Sequence, residues 1–124
     1  MHRSVITIAA LAGLILPATA APDDILGTWT RGDGLARVKM AACGSDICAT
    51  NIWIKDPVEQ KEKVGDKLIF KIAQKGDGWE GTGYDPQRKL NLTATLKATG
   101  NAMTTTGCVV AGMICRSTQW TRAN

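Results

Sequence analysis

Gly107-Cys108-Val109-Val110-Ala111-Gly112-Met113-Ile114-Cys115-Arg116-Ser117-Thr118-Gln119-Trp120-Thr121-Arg122 is the stretch whose reading decides the fold. It reads as the end of one strand, a turn bracketed by two cysteines, and a closing strand whose residues alternate in polarity. Its partner lies at the other end of the folded chain, in Gly27-Thr28-Trp29. Together they predict a β-meander whose last strand closes on its first, with Gly27, Trp29, Trp120 and Arg122 at the seam.

The segments between these ends share that pattern. Ile25 to Thr30 is a first strand, and Asp33-Gly34 between apolar runs is a strong hairpin signal. Leu35 to Cys43 alternates, with Val38 and Met40 on one face and Arg37 and Lys39 on the other. Gly44 to Ile47 turns the chain, and Cys48 to Lys55 is a third strand with Ile52 and Ile54 sharing a face. Asp56-Pro57 ends it, because proline cannot continue a ladder. Residues 56–66 are rich in Lys, Glu and Gln without an apolar stripe, which predicts a mobile surface loop, with a short helix as the alternative. Lys67 to Lys75 puts Leu68, Phe70 and Ile72 on one face. In Trp79 to Tyr84, Gly81 and Gly83 alternate, the mark of close backbone approach and curvature. Lys89 to Lys97 places Leu90, Leu92, Ala94 and Leu96 together, and the Thr-rich strand Ala102 to Val109 precedes the last. The prediction is all-β: about eight antiparallel strands in a small up-and-down barrel, since closure removes exposed edges. A two-sheet sandwich is the alternative.

The first residues stand apart from this domain. His2 and Arg3 precede an apolar run from Val5 to Leu16, and Ala18-Thr19-Ala20 supplies a small-x-small cleavage site. Residues 1–20 therefore read as a signal peptide, and residues 21–124 as a single domain that is not membrane-spanning after cleavage. Ala21 to Asp24 is expected to be a disordered lead-in. The net charge of +4 falls by one when Arg3 is lost. The remaining basic residues are scattered rather than arranged in a stripe with aromatics, which argues against nucleic-acid binding. His2 is the only histidine and leaves with the leader. The exported chain therefore has no imidazole to act as a general base or metal ligand.

Cys43 and Cys48, and Cys108 and Cys115, each flank a predicted hairpin turn. Opposed residues of an antiparallel pair lie about 4.5 to 5.5 Å apart, close enough for a disulfide. Two local pairs, Cys43–Cys48 and Cys108–Cys115, are expected. A four-cysteine zinc site is disfavoured by the oxidising compartment and the long second gap, and no metal or other cofactor is expected. Asp77, Glu80 and Asp85 crowd one hairpin, but aspartate is common in turns for backbone reasons. No nucleophile elbow or phosphate-binding glycine motif is present. The tryptophans, Trp29, Trp53, Trp79 and Trp120, read first as core and barrel-end packing.

The ordered set of motifs is similar to a known family. Gly27-Thr28-Trp29, Asp33 to Val38, Cys43 with Cys48, and Ile52-Trp53-Ile54-Lys55-Asp56-Pro57 follow its pattern. So do Gly76-Asp77-Gly78-Trp79, Gly83-Tyr84-Asp85-Pro86, and Gly107 through Arg122. The chain resembles the bacterial exported family called domain of unknown function 2147. The resemblance implies a lipocalin-like β-barrel, periplasmic or secreted, and Gly27-x-Trp29 with a late arginine is also similar to the lipocalin signature. The segment after Asp56-Pro57 is shorter here than in many members. The family has no settled biochemical activity, so the resemblance implies fold and location only.

Two functional classes remain. One is a non-catalytic carrier or sensor holding a small apolar molecule inside the barrel. Its candidate lining is Val38, Met40, Ile52, Ile54, Leu68, Phe70 and Leu92, with Ile72, Leu90 and Leu96 on the same predicted face. That face is read as aliphatic and free of charge. Barrels of about eight strands either fill with side chains or hold one small ligand. The other class is a binder or inhibitor of an envelope protein, acting through segment 56–66 and the cystine turns. An enzyme is not expected, because the usual proton-transfer groups are missing.

Overall fold

The computed structural model describes residues 22–123. The expected signal peptide, residues 1–20, lies outside the described residues. A 3-10 turn, Pro22–Asp24, leads into eight strands: β1 Gly27–Arg31, β2 Ala36–Cys43, β3 Asp46–Ile54, β4 Lys67–Lys75, β5 Gly78–Asp85, β6 Leu90–Thr99, β7 Ala102–Val109 and β8 Ile114–Ala123. One helical turn, α1 (Pro57–Gln60), lies between β3 and β4. Each strand pairs antiparallel with the next, and β8 pairs with β1, so the sheet is a closed barrel in strictly sequential order. At the seam Trp29 stands opposite Arg122, and Arg31 opposite Trp120.

An up-and-down order sends successive turns to opposite ends, and the two sets differ. At one end Gly44-Ser45, Gly76-Asp77 and Gly100-Asn101 are two-residue turns, each with its glycine at positive φ (68°, 62° and 61°). Only such turns match the twist of paired strands across so short a link. The other end carries longer connections, residues 32–35, 55–66, 86–89 and 110–113. The third strand starts two residues earlier than the sequence predicts, because Cys43 pairs directly with Asp46. Ile47 therefore enters the core-facing row of β3.

The lead-in also differs from expectation. Asp24, expected to be disordered, accepts a hydrogen bond from the Trp79 indole at 3.2 Å, and Ile25, read as the start of the first strand, lies ahead of β1 and is fully buried. Residues 23–25 pack across the tight-turn end of the barrel instead of trailing away from it. Trp29, also fully buried, donates its indole N–H to the Ile25 carbonyl at 3.0 Å. The Arg122 guanidinium lies 4.2 Å from the Trp29 ring centroid and donates to the carbonyls of Leu26 (2.8 Å) and Asp24 (3.1 Å). The φ of 119° at Gly27 favours glycine, and a Cβ there would sit 2.8 Å from that guanidinium and displace it. Leu96, Met103, Ala94 and Trp79 continue this core inward. On β5 the inward glycines admit neighbours: Gly81 faces the Lys71 backbone, and the Leu92 side chain occupies the space beside Gly83 and Gly107.

Both predicted disulfides are present and join outward-facing positions, but they differ in register. Cys108 and Cys115 are directly opposed across β7 and β8, whereas Cys43 and Cys48 bridge diagonally, each opposite another residue.

Candidate ligand site in the open half of the barrel

The fully buried side chains Ile25, Trp29 and Leu96 lie in the tight-turn half, and the other half is more open. Between the core and the long connections lies a cavity of about 220 Å³. Val38, Met40, Leu68, Phe70 and Met103 make its apolar floor, with Ala49 and Trp120 on the walls. The Trp120 indole is held by a hydrogen bond to the Thr105 hydroxyl at 2.9 Å, so the wall facing the space is its ring.

The mouth is charged. Arg31, Glu62, Asp66, Lys67, Asp85 and Arg88 all border the cavity, so the expectation of an uncharged interior is corrected here. The inward row of β5 runs Trp79, Gly81, Gly83, Asp85, and its last member places a carboxylate inside the rim. Asp85 is 6% exposed and the only buried charged residue among the described residues. It accepts from the backbone N–H groups of Gln87 (2.9 Å) and Arg88 (3.1 Å), the Gln87 amide (2.7 Å) and the Arg88 guanidinium (2.8 Å). Burial pushes its carboxyl upward, but Arg88 and the Gln87 amide more than offset this and hold it below the usual 3.8. On the opposite side Arg31 bridges Asp33 (3.0 Å) and Glu62 (2.9 Å).

Segment 56–66, expected to be mobile, is tied across this rim. Asn51 and residues 65–66 exchange backbone hydrogen bonds at 2.8 Å, and the Glu62 carboxylate meets both Arg31 and the Asn51 amide. Its helical alternative is realised only as the single turn α1, which buries no side chain.

The sequence matches, over residues 27–122, the family described as uncharacterized protein conserved in bacteria, DUF2147. The chain belongs to this family. The match begins at Gly27, the first residue of β1, and ends at Arg122, one residue short of the end of β8, so it covers nearly all of the DUF2147 barrel of this chain. No curated protein and no solved structure matches the chain.

Within the DUF2147 barrel the expected lining residues separate. Val38, Met40, Leu68 and Phe70 border the cavity. Ile52 does not: the β2–β3 register shifts between Arg37 and Val38, leaving Ile52 as the extra residue of a bulge, 44% exposed. One inserted residue reverses the inward and outward rows. Ala49 and Asn51 therefore face inward before the bulge and Ile54 after it, so the assumption that Ile52 and Ile54 share a face fails. Ile54 is buried but does not border the cavity. Ile72 and Leu96 belong to the tight-turn half, Leu92 packs against the core beside Gly83 without bordering the cavity, and Leu90 is exposed at the rim. The two seam tryptophans also part company. Trp29 lies in the plug, while Trp120 lines the cavity.

Sequence reasoning missed Arg31, Ala49, Asn51, Asp85, Met103, Thr105 and Thr118 as lining residues. Counting parity from Ile47 would have found Ala49 and Asn51. Counting from Trp79 through the two glycines would have found Asp85.

Proposed function

We propose that this protein is an exported, non-catalytic binding protein that holds a small molecule with an apolar body in the open half of its barrel, in the manner of a lipocalin-like carrier or sensor. The observation that carries this reading is the cavity itself: an apolar floor within a barrel whose opposite end is plugged. Pockets for small ligands combine an apolar lining with a few placed polar groups, as here. At about 220 Å³ the space suits a short acyl chain or another compact apolar group rather than a drug-sized ligand. Export is supported by the leader-like residues 1–20 and by two disulfides, which persist in oxidising compartments. A non-catalytic role is supported by the chemistry of the rim. No histidine lies beyond His2, and Asp85 is held as an ionised acceptor by Arg88 rather than poised to deliver a proton.

Native mass spectrometry of protein from its own host tests the reading. A bound small mass is expected, and Ala49→Phe, which fills the cavity, should abolish it while the fold is retained. Protein that carries no such mass and takes up no fluorescent fatty acid would retire the carrier reading.

A further inference from the structure

The exposed large hydrophobic side chains lie at one end of the molecule. Val58 (92% exposed) and Val64 stand on the 56–66 segment, Val110 and Met113 (81%) on the β7–β8 turn, and Ile114 at the start of β8. Ile52, Trp53 and Tyr84, within three residues of a strand's end, and Leu90, the first residue of β6, lie at that same end. The tight-turn end has none among the described residues. The β7–β8 tip is built to project. Val110 and Ala111 take left-handed conformations (φ 54° and 55°), which are unfavourable for them, and Cys108–Cys115 clamps the base.

Charge is divided in the same way. In the tight-turn half Asp23, Asp24, Asp46, Asp77 and Glu80 are matched in number by Lys39, Lys71, Lys75, Lys97 and Arg122, so the positive excess belongs to the open half. There Lys55, Lys61, Lys63, Lys67, Lys89 and Arg116 are exposed and have no acidic partner among the described residues. In the other half Lys71, Lys75 and Lys97 each face a carboxylate.

We infer that the open end docks onto an anionic phospholipid bilayer, with the valine and methionine tips entering the interface and the free lysines meeting lipid phosphates. The distribution favours this occupant over a protein. A stable protein interface needs about 800 Å² per partner around a contiguous apolar centre. Here separate apolar tips surround an open mouth, Val64 beside Lys63 and Val58 between Asp56 and Glu59, on an end whose basic residues outnumber its acidic ones. Apolar side chains flanked by Lys and Arg are the pattern of interfacial membrane binding, which grows with both apolar insertion and anionic charge. The cavity mouth opens on the same face, so docking would set it against lipid. This inference does not require the cavity to be occupied.

Residues 22–123 hold the eight described strands and the described core, so the chain from Ala21 is the unit for the test. Its co-sedimentation with vesicles rich in phosphatidylglycerol should exceed that with pure phosphatidylcholine. It should also weaken as salt rises from about 0.15 to about 1 M, where the screening length falls from about 8 to about 3 Å. Lys61→Gln with Lys63→Gln should lower partitioning by about 25-fold, at about fivefold per charge near the surface. Met113→Ser with Val58→Ser should lower it severalfold at every salt concentration. Lys75→Gln with Lys97→Gln, at the other end, should leave it unchanged, as should Ala49→Phe. Thus a failed cavity and failed docking are read separately. Equal binding to both vesicle types, or an equal loss from the tight-turn lysines, would overturn the inference. Absence of binding to anionic vesicles would overturn it in favour of a protein partner for this rim.

Discussion

The two ends of this barrel are made from the same eight strands, yet one is a plug and the other a rim. At the plug three glycine turns draw the strands tight, and the Pro22–Asp24 turn, Ile25, Trp29 and Arg122 fill what remains. At the rim the connections are longer, and the inward positions carry Asn51, Asp85, Thr105 and Thr118 in place of aliphatic groups. Apolar side chains meeting across a small barrel leave no room for solvent, whereas polar ones near the mouth are satisfied only by partners or water. Stability is therefore concentrated at one end, which leaves the other free to vary in chemistry. Such a division lets a domain of about a hundred residues, with a modest core, keep a cavity.

The strongest way to break this contrast is at the plug. Trp29→Ala removes a fully buried indole, its hydrogen bond and the surface under Arg122, and should cost about 3 to 5 kcal/mol. A fall in melting temperature of well over 10 °C is then expected by thermal denaturation. Trp29→Ala with unchanged stability would show that the plug is not the anchor.

Cys108→Ser with Cys115→Ser tests whether the rim contributes at all. The closed loop is short, and the loss should be about 2 kcal/mol on the chain-entropy view. Urea titration reads this as a shifted midpoint, and a shift as large as that of Trp29→Ala would erase the asymmetry.

Asp85→Asn should cost about 1 to 2 kcal/mol, because it leaves Arg88 without its carboxylate while the amide oxygen still accepts from the turn. The pH dependence has a definite sign. Asp85 titrates below its usual value when folded, so its contribution is full above about pH 5 and is lost as pH falls through the folded value. Stability of the variant should therefore fall less steeply on acidification, measured between about pH 5 and 2. An unchanged acid limb would remove Asp85 from the account.

The smallest effect is expected at Glu62→Gln, which breaks one of the two ion pairs of Arg31. Stability should drop by about 1 kcal/mol or less. Hydrogen exchange across residues 56–66 should rise more than exchange at the plug, since Glu62 joins that segment to both β1 and Asn51. Equal increases at both ends would mean that the rim and the plug are one cooperative unit.

The strand order and its turns were legible without coordinates, whereas the lead-in that completes the plug was read as disordered. The turn glycines and the two cysteine pairs, one at each end of the barrel, act through local geometry: a hairpin only a short turn closes, or a cystine within reach. The rim was not legible in the same way. Its lining was read as an unbroken continuation of the aliphatic rows, which one bulged residue at Ile52 undoes, and the 56–66 segment shows no periodicity from which its contacts with Arg31 and Asn51 follow.

The sequence by itself determined an antiparallel chain of about eight strands, its order, its two disulfides and the pairing of its last strand with its first. Alternation and turn chemistry are properties of neighbouring residues, and they survive any change elsewhere. Only the tertiary structure decided which half of the barrel is full, that Trp29 and Trp120 serve different halves, and that Asp85 faces a cavity. Those outcomes depend on how the inward side chains of all eight strands meet across a staggered barrel, and a single shift of register re-aims every residue beyond it.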